Sequence, residues 1–331
     1  MGRKNGPRHG SMQIWPRSRS NDFISRVNWT PVHVASSKVS NTTSPQKSTI
    51  LGFIGYKVGM RSAFVKDNTP DSLTKGKRII LPVTLLECPL MKIFSVRFYQ
   101  NGIVKKEIIN DNLSKDLKRI MKMPKKKTDI KAELEKIDVN EFEDIRLVVY
   151  SEVSKIGLKK SPDLAEIALT GNKQDKIDFI KANIQKEFGV TDSFQKGVVD
   201  LRGLTKGKGF QGPVKRFGID FRSHKAEKGQ RRPGSIGPWH PTGVPFTVAR
   251  AGQLGLFSRI TYNSHIISSK KIADNPILEK MVFDNYGKIK GDYVVVNGSV
   301  QGPCKRQILI CAPLRPTKKQ LKRQYELIEL R

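Results

Sequence analysis

Acidic residues are scarce: 30 Asp and Glu stand against 61 Lys and Arg, a formal net charge of +31 over 331 residues. Self-repulsion on that scale opposes compaction, so the chain is built to be neutralised by a polyanion. Cysteine is scarce as well. Cys88, Cys304 and Cys311 have neither paired nor CxxC spacing, and five scattered histidines supply no second half of a zinc site. A disulfide framework and a structural metal are both disfavoured, and the cysteines read as small buried hydrophobes of a reducing compartment. No window approaches the ~18 consecutive apolar residues of a membrane helix, and the N-terminus lacks the apolar core of a secretory signal. Pro7, Pro16, Gly6 and Gly10 break the amphipathic helix of a transit peptide, and Gly6 stands where myristoylation requires Ser or Thr. The chain therefore reads as soluble and cytoplasmic, and its 37% hydrophobic and 8% aromatic content is enough for a real core.

What is present changes along the chain. Residues 1–50 are poor in aliphatics, rich in Ser, Thr, Asn, Pro and Arg, and hold one acid, Asp22. Such a segment cannot repay its ordering entropy by burial, so it reads as an extended basic N-terminal arm. There Arg3, Lys4, Arg8, His9, Trp15, Arg17 and Arg19 interleave cations with an aromatic, a pattern suited to pairing with phosphates and stacking on bases. Residues 51–104 turn to short β-branched and aromatic runs (51–56, 62–65, 79–86, 93–99), expected to be the first part of a β-barrel, with Gln100-Asn101-Gly102 as a hairpin turn.

Residues 105–195 read as an α/β insertion: helices over 114–123 and 131–135, a strand over 146–153, and a helix over about 175–188. Ile177, Ile180, Ile184 and Phe188 make that last helix's apolar stripe, with Gly189 as its C-terminal cap. The Lys125–Lys127 cluster reads as a solvated linker, with contact to a polyanion as the alternative. A barrel strand returns at 196–204, a long irregular loop spans 205–245, and the rest of the barrel spans 246–316, with strands near 248–251, 260–267, 281–283, 293–296 and 307–310. Leu321, Tyr325 and Ile328 share one face of a C-terminal helix over 317–331.

The 205–245 loop carries the function, because structureless loops of that length in compact domains are functional or disordered. From Arg202 onward come Lys206, Lys208, Lys215, Arg216, Arg222, Lys225, Lys228, Arg231 and Arg232, opposed only by Asp220 and Glu227. Gly203, Gly207, Gly209, Gly212, Gly218, Gly229, Gly234 and Gly237 let the backbone approach a surface closely, while Lys and Arg neutralise phosphates. Phe210, Phe217, Phe221 and Trp239 add faces for stacking. His224 and His240 read as hydrogen-bonding groups for phosphate, 2′-hydroxyl or backbone, and His265 likewise, rather than as bases.

Gly207–Gly212 matches the G-x-G-x-x-G expression, but Pro213 and Gly218 leave no long helix for a pyrophosphate, and no strand-borne acid follows at ~20 residues. The Walker spacing fails too. No nucleophile elbow, HExxH or carboxylate pair is visible, so catalysis has no positive evidence. Two rival classes remain open: a DNA-binding protein, which would need a recognition helix, and an RNA-modifying enzyme, which would need a cofactor pocket.

Several motifs together are specific. They are Gly203-Leu204-Thr205-Lys206-Gly207-Lys208-Gly209-Phe210-Gln211-Gly212 with Val214-Lys215-Arg216, Arg231-Arg232-Pro233-Gly234-Ser235-Ile236-Gly237, and Ala251-Gly252-Gln253-Leu254-Gly255. Gly52-Phe53, Lys57-Val58-Gly59-Met60 and Gly298–Pro303 support them. With these the sequence resembles the large-subunit ribosomal protein L-three family over essentially its whole length. Trp239-His240-Pro241 and the arm motifs Arg8-His9-Gly10-Ser11 and Trp15-Pro16-Arg17 resemble its archaeal and eukaryotic members, and the short C-terminus the archaeal ones. Glu227 stands where eukaryotic members have a methylatable histidine, so that modification is not carried over.

The resemblance implies a translation-protein-type β-barrel with an α/β insertion, and a long loop reaching towards the peptidyl transferase centre with Trp239 near its tip and the arm beside it. It implies binding to large-subunit (23S-type) rRNA early in assembly, next to other large-subunit proteins and close to tRNA and elongation factors. It implies no catalysis, no cofactor other than RNA-bound Mg2+, no membrane and no homo-oligomer.

Overall fold

The computed structural model describes residues 15–40, 49–124, 130–138, 141–240, 242–274, 278 and 281–331. Arg3, Lys4, Arg8, His9 and the Lys125–Lys127 cluster lie outside the described residues. The chain forms two units, Met1–Phe23 with Leu204–Arg259 (the loop unit) and Ile24–Gly203 with Ile260–Arg331 (the sheet unit).

In chain order the elements run α1 (Trp29–Ser40), β1 (Gly52–Asp67), β2 (Arg78–Cys88), β3 (Met91–Gln100), β4 (Ile103–Ile109), α2 (Ile130–Glu135) and β5 (Asp144–Ser151). They continue as α3 (Val153–Ile156), β6 (Leu164–Ala168), α4 (Lys173–Asn183), β7 (Gly197–Leu204), β8 (Gly209–Gln211), α5 (Pro213–Phe217) and β9 (Gly252–Leu254). The rest are β10 (Ser258–Lys270), β11 (Val282–Phe283), β12 (Gly287–Lys288), β13 (Asp292–Asn297), β14 (Gln307–Cys311), α6 (Lys318–Leu321) and β15 (Tyr325–Leu330).

The molecule is mainly β. The largest sheet has the order β14-β7-β10-β13-β2-β1-β15, and β14 pairs with β1 as well, so six of its strands close into a ring. β1 makes this possible by its length. Gly52–Tyr56 pairs with β14, Tyr56–Lys66 with β2 and Ala63–Asp67 with β15, and bulges at Lys57/Gly59 and Phe64/Val65 re-aim the strand between partners.

Phe53, Tyr56, Leu201, Val294 and Ile310 belong to one buried cluster of this unit, and Val58, Val65, Leu85 and Tyr293 to a second. Two of the buried charges are well partnered. Lys57 Nζ donates to the carbonyls of Val300 (2.5 Å) and Gly302 (3.1 Å). Glu87 accepts from the Lys290 and Gly291 amides, each at 2.7 Å, and from the Tyr286 hydroxyl.

Five expectations are corrected here. β3, expected in the barrel, belongs with β4, β5 and β6 in a separate four-stranded sheet, so the insertion starts just after Cys88 and not at 105. Both edges of β3 are taken up there, by β4 across the Asn101 (φ 52°)–Gly102 (φ 71°) turn and by β5, which leaves it none for the closed sheet.

The N-terminal segment is not extended throughout. Trp29 and Val32 are buried on one side of α1, and Trp29 Nε1 donates to the Glu166 carbonyl at 3.0 Å, so a single large aromatic supplies the burial that composition seemed to deny. α4 stops at Asn183 because Phe188 instead pairs its backbone with Met91, and Gly189 (φ −89°) opens the next 3-10 turn rather than capping α4. The 114–123 helix is only a 3-10 turn over Lys115–Arg119.

At the C-terminal end only α6 is helical. Tyr325, Leu327 and Leu330 pack on the second buried cluster from a strand on the free edge of β1, whereas Leu321 and Ile328 remain 44% and 48% exposed. The open edge of β1 pairs with five residues of this segment and lets Tyr325, Leu327 and Leu330 pack together on the buried cluster.

Candidate nucleic-acid interface

The loop unit is drawn together at its base by glycines and backbone pairs. The short strand β8 pairs with β9, where the expected 248–251 strand is replaced by Gly252–Leu254. Thr205 N donates to Phe257 O (3.0 Å) and Lys208 N to Leu254 O (2.9 Å). Gly255 sits at φ +81°, and a Cβ there would lie 2.0 Å from the Lys206 carbonyl oxygen, so only glycine lets these two chains approach.

α5 is cut to size by its own sequence. Pro213 occupies its first turn, Gly218 at φ +67° ends it, and the Gly218 amide donates to Val214 O at 2.8 Å. The helix that would have presented an N-terminus to a dinucleotide is five residues long, as the position of Pro213 implied.

α5 presents Arg216 and Phe217 to the arm. Arg216 donates to three carbonyls, those of Gln253 (2.9 Å), Arg250 (3.1 Å) and Arg17 (3.2 Å), and Arg17 Nη1 donates back to Arg216 O at 2.6 Å. The Arg17 guanidinium lies 4.2 Å above the Phe217 ring, which stacks on Trp15 at 5.3 Å, and Phe246 meets Trp15 edge-on at 6.3 Å. Burial, and then the neighbouring Arg17 charge, lower the pKa of Arg216.

These residues are framework. Trp15, Arg17 and Arg216, expected to face RNA, are held by contacts within the chain. A Cβ at Gly252 would meet the Arg216 guanidinium, and one at Gly207, which is itself exposed, would meet the Leu256 side chain.

Two further expectations are corrected. Arg202 is only 9% exposed, and its guanidinium lies beside the Cys311 thiol. β7 is one strand of the closed ring, between β14 and β10, and Arg202 on it is buried. Gly203 is buried there too, and a Cβ on it would meet Ile308 and Gln301.

The remaining predicted residues are on the free surface. Lys206, Lys208, Phe210, Lys215, Arg222, His224, Lys225, Lys228, Arg231, Arg232, Trp239 and His240 are exposed, as is Arg19 of the arm. Gly209, Gly212, Gly234 and Gly237 are exposed with them.

Between Arg222 and Gln230 the backbone makes a compact turn closed by Arg222 N to Gln230 O (3.1 Å), with Gly229 at φ +85°. His224, Lys225 and Lys228 project from it, and Arg231 covers the Phe221 ring at 4.9 Å. Phe210 and Trp239 are 78% and 83% exposed, far more than aromatic rings of a self-sufficient core. Asp220 and Glu227 are both exposed, and neither forms an ion pair among the described residues. The surface is thus a run of unneutralised cations with bare ring faces between them, suited to phosphates and unstacked bases.

Sequence reasoning did not single out Phe246, Arg250 or Gln253 as partners of the arm. The one sign of them was the glycine-flanked Gly252-Gln253-Leu254-Gly255.

The family model described as ribosomal protein L3 matches residues 1–331. The chain is 36% identical to the large ribosomal subunit protein uL3 of Archaeoglobus fulgidus, over 94% of this chain and 93% of that one. It is 36% identical to uL3 of Methanocaldococcus jannaschii, over 96% and 94%, and 37% identical to uL3 of Pyrobaculum aerophilum, over 95% and 94%. Likeness that runs from end to end, through the closed sheet and the cationic loop alike, admits one assignment: the chain belongs to the ribosomal protein L3 family.

Proposed function

We infer that the chain is a structural, non-catalytic constituent of the large ribosomal subunit, held there by large-subunit (23S-type) rRNA and by neighbouring ribosomal proteins. The observation that carries this reading is the exposed surface from Lys206 to His240, where cations without acidic partners alternate with bare aromatic rings on a glycine-rich backbone. The names of the relatives support it. Such a surface replaces the counterions that closely packed RNA helices otherwise require.

Within that role the closed six-stranded sheet serves as a translation-protein-type barrel, and the cationic loop supports the peptidyl transferase region during accommodation of aminoacyl-tRNA and elongation factors. The chain enters the subunit early in assembly. It works without a cofactor of its own, and magnesium at the loop belongs to the RNA.

Sedimentation of a native extract in high salt tests the reading. Co-migration with the large subunit after the wash is expected of a deeply embedded protein with many phosphate contacts. Release to the top of the gradient would mean peripheral, screened binding and would overturn it.

A further inference from the structure

The sheet unit carries a second concentration of positive charge. Lys318, Lys319, Lys322 and Arg323, four cations in six residues, line one wall of a groove of about 600 Å3 whose other wall is the turn after β1. The two walls are tied together: Asn68 N donates to Gln324 O at 2.9 Å, and Gln324 N to Thr69 Oγ1 at 3.1 Å. The α6 turn is fixed by Thr317, whose amide donates to Gln320 Oε1 (3.1 Å) and whose hydroxyl accepts from Gln320 N (3.3 Å).

Among the described residues the acids at this groove form no ion pair with those four cations. Asp67 is occupied by the Thr69 amide (2.9 Å) and the hydroxyls of Ser72 (2.7 Å) and Thr74 (2.5 Å). Glu326 accepts from Asn68 Nδ2 at 3.2 Å, and Glu329 pairs with Arg331 at 3.2 Å. Asp71 stands exposed at the turn, so the lining sets two carboxylates, Asp67 and Asp71, against four cations, and Leu73 beside Asp71's turn is 99% exposed. Lysines 318 and 322 are four residues apart, so the free protein bears their repulsion until an anion arrives.

We propose that this groove is a second RNA-binding surface, in which Lys318, Lys319, Lys322 and Arg323 take consecutive phosphates of one RNA strand. The inference rests on the ribosomal reading above but concerns residues outside the loop unit. Lysine is depleted at the centres of protein–protein interfaces and is a point-charge partner for phosphate, which favours a nucleic-acid backbone over an acidic protein. A groove whose cations are mainly exposed lysines recognises the backbone rather than the sequence.

The test uses the full chain and an rRNA transcript of the large subunit, with binding measured across a range of salt. Replacing Lys318, Lys319 and Lys322 together by Gln is expected to flatten the slope of log K against log salt by about two to three units, at roughly 0.7 to 0.9 per lost phosphate contact. All three side chains are exposed, so thermal unfolding should stay unchanged. The comparison protein carries Lys208→Gln, Lys215→Gln and Lys228→Gln in the loop unit. An unchanged slope for the groove variant beside a flattened one for the loop variant overturns the groove and leaves the ribosomal reading standing. Unchanged slopes for both overturn the two together. Loss of an acidic protein neighbour from assembled subunits, with the salt slope intact, also overturns the groove in favour of a protein partner.

Discussion

Arg17 and Arg216, 199 positions apart, each donate a guanidinium hydrogen bond to the other's main-chain carbonyl. Two like charges are thereby held together by dipoles rather than by an acid, and the arm is registered against α5 before RNA is present. Arg216→Ala leaves the carbonyls of Gln253, Arg250 and Arg17 without their donor. Local stability of the loop unit should fall by about 1–3 kcal/mol. Amide exchange at Thr205, Lys208 and Gly218 should speed up while the sheet unit's amides are unaffected, and equal protection in both proteins would contradict the framework role.

Gly255 and Gly234 separate two uses of glycine. Gly255→Ala forces a Cβ onto the Lys206 carbonyl at a positive φ, and should cost about 3 kcal/mol, read by chemical unfolding. A Cβ at Gly234 would meet no atom within 4 Å, so Gly234→Ala should leave stability within about 0.5 kcal/mol while weakening binding to rRNA, where close approach matters. Destabilisation by both, or by neither, would remove the distinction.

Trp239→Ala tests the ring that is 83% exposed. Folding should be unaffected, with unfolding midpoints matching wild type, but ribosomes carrying the variant should accommodate aminoacyl-tRNA with altered kinetics. Wild-type accommodation would sink the assignment of Trp239 to that region.

Asp67 gives a pH dependence. Burial pushes its carboxyl up, but hydrogen bonds from Thr69, Thr74 and Ser72 outweigh it and hold the pKa below the ordinary carboxylate range. A depressed carboxylate binds its proton more weakly in the folded than in the unfolded chain. Its stabilisation is therefore complete above the unfolded value, near 4, and is lost as pH falls below it. The stability gap between wild type and Asp67→Asn should be widest at neutral pH and narrow on acidification below about pH 4. A gap independent of pH would show that the charge on Asp67 does not matter.

Local features were legible in the sequence. Asn101-Gly102 marks a turn because both positions need positive φ, and Pro213 with Gly218 brackets α5 for the same kind of reason. The exposed cations from Lys206 to Arg232 were legible because charge without counter-charge needs an outside partner.

What failed was long-range. Leu321, Tyr325 and Ile328 satisfy a helical period, but Tyr325 and Leu327 satisfy a strand's as well, and only the open edge of β1, more than 250 residues earlier, decides between them. Arg202 looked like a surface cation because nothing local says that β7 lies between two other strands. The three carbonyl acceptors of Arg216 were out of reach for the same reason, scattered as they are over Arg17, Arg250 and Gln253.

The pairing of Gly52–Tyr56 with Gln307–Cys311 has a consequence for the order of synthesis. A nascent chain emerges from its N-terminal side, so the four-stranded sheet of β3 to β6, whose strands all lie between residues 91 and 168, can assemble while translation continues. The ring cannot. β1 must wait, one edge unsatisfied, until some 250 further residues have left the exit tunnel, and such non-local closure is slow. For that interval the chain carries an unpaired strand edge together with its accumulating positive charge, the stage of its biosynthesis most exposed to wrong pairing.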